Sequence, residues 1–165
     1  MGSEENGDTK SAAVANEATL TFDSKKIDSA GFALSHVEAV RYTMKAAGQT
    51  YPTIIIHLAN YDRGGRSYLP NAKVEGQRRV LLTFSGPAEG ALAVGRYETK
   101  NTLGKGLGFS MGIETKGANV GLWGAVTGAA ELTALTETSI SGQVDIADEG
   151  GTTVKASFTA KIEGS

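Results

Sequence analysis

The chain has 165 residues, 40% of them apolar, no cysteine and a formal net charge of −2. That length suits one domain with a core of its own, and the lack of cysteine excludes disulfides, thiol nucleophiles and thiolate metal sites. So small a charge, with no basic block, supplies no field for nucleic acid, and the longest strongly apolar run, Ile54-Ile55-Ile56, is far short of the ~20 residues of a membrane helix.

Residues 1–17 are small, polar and acidic, with Glu4, Glu5, Asp8 and Glu17 against Lys10. They have almost nothing to bury, which predicts a disordered tail before a single all-β domain over residues 18–165. Two readings of the tail stand side by side. One is an artificial leader with a frayed terminus. The other is the tether of an exported lipoprotein, attached to the membrane through a lipid anchor since removed.

The body reads as strand after strand. Thr19–Phe22 alternates and Asp23-Ser24-Lys25-Lys26 turns. Ala39–Lys45 puts Val40, Tyr42 and Met44 on one face. Tyr51–Ala59 is apolar on both faces at its centre, which marks a central strand. Arg78–Phe84 is stopped by Ser85-Gly86-Pro87. Leu107–Glu114 alternates cleanly, and Asn119–Thr127 and Ala129–Leu135 follow. Ser139–Ile146 and Thr153–Ile162 flank Asp148-Glu149-Gly150-Gly151 as a hairpin. About nine or ten short strands at this spacing make a single antiparallel β-sandwich or small β-barrel. Ser29–Ala39 and Ala88–Val94 compete as helix, so at most one or two short helices are expected.

Glycine is abundant, at 22 residues. Gly108, Ser110 and Gly112 on one strand face read either as curvature or as the floor of a shallow groove. Gly104–Gly108 lacks the strand-to-helix context of a phosphate loop. Gly108-Phe109-Ser110-Met111-Gly112 spells a nucleophile elbow, but it sits inside an alternating strand.

Catalytic chemistry is thinly provided. His36 and His57 lack the paired spacing of a zinc site, so no metal and no cofactor is expected. His57 shares a face with Thr53 and Ile55 and reads as a core or wet-face histidine. Asp145, Asp148 and Glu149 cluster at the last hairpin without the spacing of a calcium loop. The most site-like segment is Asn60–Asn71, where Tyr61, Asp62, Arg63, Arg66 and Tyr68 surround Gly64-Gly65. Trp123, the only tryptophan, falls in phase with Asn119 and Thr127, opposite Val120, Leu122 and Val126. That phase predicts a partly exposed ring able to stack a ligand, beside the alternative of a second small core.

Ser141-Gly142-Gln143-Val144-Asp145-Ile146, then Gly151, then Val154–Ala160 resembles the closing strand pair of uncharacterised bacterial exported lipoproteins with all-β folds. Ala156 stands where glycine is common in them. The resemblance implies export to the periplasm or cell envelope and carries no activity with it. Three functions stay open: a non-enzymatic envelope module with an unknown protein partner, a binder of glycans or small ligands through Tyr61–Tyr68 and Trp123, and a hydrolase using His57 or Ser110.

Overall fold

The computed structural model describes residues 15–62, 72–99 and 106–163. The fold is all-β, and the described residues form ten strands: β1 (Glu17–Asp23), β2 (His36–Ala46), β3 (Gln49–Ala59), β4 (Arg78–Ser85), β5 (Gly95–Tyr97), β6 (Gly108–Thr115), β7 (Ala118–Gly121), β8 (Val126–Leu135), β9 (Ser139–Asp148) and β10 (Thr153–Glu163). No helix forms among the described residues, and Ser29–Ala39 runs instead as loop into β2. The strand order is β5-β8-β9-β10-β2-β3-β4-β6-β7, with β1 also on β10. Every ladder is antiparallel except a short parallel one, where Ile162 and Glu163 meet Ala39 and Val40. The path is open. A bridge from Glu98 to Gly108 brings the end of β5 against β6.

The core follows from period two. On β10, Val154, Ala156, Phe158, Ala160 and Ile162 are buried, while Thr153, Lys155, Ser157 and Lys161 are exposed. Register stacks the other half in three tiers: Ile54, Phe84 and Phe109; Ile56, Leu82 and Met111; Leu58, Val80 and Ile113. Phe84 joins the halves. Its ring stands 5.1 Å from Phe109, 5.2 Å from Tyr97 and 5.9 Å from Phe158.

One strand differs from the sequence expectation. Asn119–Thr127 is not one strand: β7 ends at Gly121, and residues 122–125 cross to β8. Gly124 takes φ +73, which breaks the extended backbone there. On β2 the shared face of Val40, Tyr42 and Met44 is the outer one. Ala39, paired with Ile56, points into the core instead. A steric need for glycine also lies elsewhere than at Gly112. Opposite the β8 bulge between Leu132 and Ala134, a Cβ at Gly142 would stand 2.6 Å from the Glu131 carbonyl oxygen and 2.8 Å from the Phe158 ring. At Gly112 it would meet only ordinary contact, 3.8 Å from the Val120 oxygen.

β1 and β2 share one edge of β10, and Asn16 fills the step between them. β1 leaves β10 at the Glu17–Thr159 pair, and β2 joins it at Ile162. Between the two, the Lys161 N–H donates to Asn16 Oδ1 at 2.8 Å, and Asn16 Nδ2 donates to the Val37 carbonyl at 2.9 Å. The side-chain amide thus stands in for a missing piece of ladder, so Asn16 and Glu17 belong to the fold and not to the tail. Asn16→Ala should cost about 1 kcal/mol, the net worth of the lost hydrogen bonds at an exposed site. Urea denaturation of the variant checks it, and an unchanged midpoint would show that water replaces the amide at no cost.

Tyr97 is buried and its hydroxyl donates to the Ala93 carbonyl at 2.7 Å. Burial pushes its phenol above the ordinary value, and the Ala93 N–H, which donates to the phenol oxygen at 3.1 Å, opposes the shift. The unfolded phenol ionises near pH ~10, so above that point the native state binds more protons than the unfolded one. The contribution of Tyr97 is therefore full below about pH 10 and falls as pH rises through its folded value. Denaturation midpoints taken on either side of pH ~10 should drop, and Tyr97→Phe should flatten the drop. Tyr61 is shifted the same way, so part of the slope should remain.

Candidate functional site

β3 is buried on both faces, and its outer face carries the densest polar chemistry among the described residues. Register sets Glu38 beside His57, and Ala59, Arg79 and Glu114 in one row. Arg79 is 2% exposed, and its Nη2 and Nε reach Glu114 Oε1 at 2.8 and 3.1 Å. Tyr61 packs its ring edge-on to His57, centroids 5.7 Å apart. Burial raises the Tyr61 phenol, while the Arg79 charge beside it pulls it back down. A buried cation must be paired to stay inside, and Glu114 supplies the pair. This cluster reads as a structural ion pair capped by an aromatic ring. His57, at 0% exposure, presents no edge to a substrate in solution.

Beside the cluster, Ser35 Oγ lies 2.8 Å from His36 Nδ1, and His36 Nε2 lies 4.0 Å from Asp62 Oδ2. The row spells serine, histidine and acid. The carboxylate is beyond hydrogen-bond distance and its side chain is 69% exposed, so it is a screened surface contact and not an orienting acid. Ser110 and His57 share the outer face but stand two strands apart and two residues out of register. At ~4.8 Å per strand and ~3.4 Å per residue that is about 12 Å, against the ~3 Å of a nucleophile and its base.

Trp123 lies elsewhere, above the turn between β9 and β10, and is 66% exposed. Its loop is held from below. Asp148 Oδ2 accepts the Trp123 N–H at 2.9 Å, Asp148 Oδ1 accepts the Thr152 N–H at 2.9 Å, and Glu149 Oε2 accepts the Ala125 N–H at 3.0 Å. Carboxylates at a hairpin are thus spent on backbone donors. Among the described residues no three His, Asp or Glu side chains gather as metal ligands. Beneath the ring opens a groove of about 380 Å³ with Lys25, Lys26, Asn119, Leu122 and Thr152 on its walls.

Of the residues singled out from sequence, Tyr61 sits on the His57 and Arg79 cluster, Asp62 faces His36, and Trp123 overhangs the groove. The groove and the Tyr61 cluster share no residue. Arg63, Arg66 and Tyr68 lie outside the described residues. The exposure of Trp123 does not come from strand phase, since Trp123 belongs to a connection and not to a strand face. Sequence reasoning passed over Arg79 and Glu114, whose outward phase on adjacent strands was the available signal. It also took Lys25 and Lys26 for turn residues only. The chain matches no known family model, and neither a curated protein nor a solved structure is significantly similar to it.

Proposed function

We propose that the protein is a non-enzymatic, exported or envelope-associated binding module whose ligand sits against Trp123. One observation carries this reading: a large ring is held out in water by a loop built to hold it. Trp123 is 66% exposed, while Asp148 and Glu149 clamp the backbone on both sides of it. Leaving an indole in solvent forgoes its burial energy, and tryptophan is among the residues most enriched where binding energy concentrates. The groove below it, about 380 Å³, falls at the small end of ligand sites. The envelope setting is supported by the likeness of the closing hairpin to exported lipoproteins.

A screen of the wild-type protein and Trp123→Ala on an array of soluble glycans and small metabolites tests the reading. The expected result is a ligand bound by the wild type and lost by the variant. A ligand bound equally by both would contradict it.

A further inference from the structure

We infer that the groove beneath Trp123 takes a carboxylated sugar, its ring on the indole and its carboxylate on Lys25 and Lys26. The inference rests on the groove being the binding site and adds the class of ligand. It starts from the charged groups on the groove wall, which are Lys25, Lys26 and Asp148. Both oxygens of Asp148 already accept backbone N–H groups, and neighbouring Glu149 is turned onto Ala125. Neither lysine forms an ion pair among the described residues. The charged ends left for a ligand are therefore two ammonium groups, which complement an anion.

Their placement relative to the ring follows from the two glycines of the turn. The indole lies over Gly150, with Trp123 Cε3 3.8 Å from where a Cβ would stand. The stem of Lys25 lies over Gly151, with its Cε 3.0 Å from the corresponding point. Consecutive Cα atoms are ~3.8 Å apart, so ring and lysine pack on neighbouring residues of one turn, and both line the groove. Gly151 has φ +89, a conformation that glycine adopts at no steric cost, so the lysine stem rests on bare backbone because the turn requires glycine there. A flat apolar face beside a cation suits a molecule with a C–H face and a carboxylate on the same small ring. The π face is negative and attracts the positive C–H edge, while the ammonium groups take the carboxylate. Asn119, on the same wall, offers a side-chain amide to ring hydroxyls.

The probe is an oligogalacturonate, with its methyl ester as the uncharged control. Trp123 is the only tryptophan, so indole emission, excited at the red edge where tyrosine does not absorb, reports on this groove alone. The acid should shift the emission saturably. The ester, and the Lys25→Ala/Lys26→Ala double variant with the acid, should each bind about five- to tenfold more weakly, as expected for losing exposed charge pairs. An ester bound as tightly as the acid would overturn the carboxylate inference and leave the groove reading standing, because Trp123 would still respond. Acid binding indifferent to both lysines would overturn their assignment. No emission change with either oligomer would overturn the inference outright, and the array comparison with Trp123→Ala then decides the groove reading separately.

Discussion

Phe84→Ala should destabilise the protein by about 3–5 kcal/mol, the cost of a large-to-small change in a filled core. Phe84 is fully buried and its ring touches Tyr97, Phe109 and Phe158. Those three rings come from β5, β6 and β10, so truncation opens a void where the two halves of the sheet meet. Collapse to fill it would need β10 to shift, and β10 is pinned by β9 on one edge and by β1 and β2 on the other. Phe158→Ala should fall in the same range, since its ring covers Gly142, where no larger residue fits. Guanidinium denaturation measures both. A loss below about 1 kcal/mol at Phe84 would mean that the site relaxes freely and that the two halves pack independently.

Glu114→Ala should be nearly as costly, about 3 kcal/mol, because it strands a charge inside the protein. Arg79 is 2% exposed and donates two hydrogen bonds to one Glu114 oxygen. The estimate sits at the low end for a buried pair because the Glu114 side chain is 22% exposed. Glu114→Gln, which keeps an acceptor, should lose less. Replacing both partners by apolar residues of similar volume should be close to neutral. A double-mutant cycle on Arg79 and Glu114 measures the coupling directly. Coupling near zero would show that other neighbours, Tyr61 first among them, hold the guanidinium.

Strand content was legible because most strands here bury one face and wet the other. β10 shows the limit of that legibility as well as its strength. Alternation over Thr153–Ile162 gives its phase, yet nothing in it says that one edge serves β1 first and β2 afterwards. That handover depends on Asn16, a polar residue in an acidic stretch whose two hydrogen bonds reach Val37 and Lys161. β5 escaped because three residues, Gly95-Arg96-Tyr97, carry no period. The long run Asn119–Thr127 misled because apolar residues continue through the crossing at residues 122–125. The polar cluster was half visible: His57 was in the right phase with Thr53 and Ile55, but Arg79 and Glu114 become a pair only once β4 and β6 are known neighbours. The groove was the least legible part. Its walls come from the loop after β1, the connection after β7 and the turn before β10, and no local pattern joins segments so far apart in sequence.

The proposed recognition at the groove under Trp123 leaves the His57, Tyr61 and Arg79 cluster out of ligand contact. Amide and indole chemical-shift mapping, as a ligand found on the glycan array is added, separates the two in one experiment. The single indole N–H signal and the amides of Gly150 and Gly151 should move together and saturably, while those of Tyr61 and Arg79 stay still. Shifts confined to the Tyr61 and Arg79 side, with the indole signal unmoved, would contradict it.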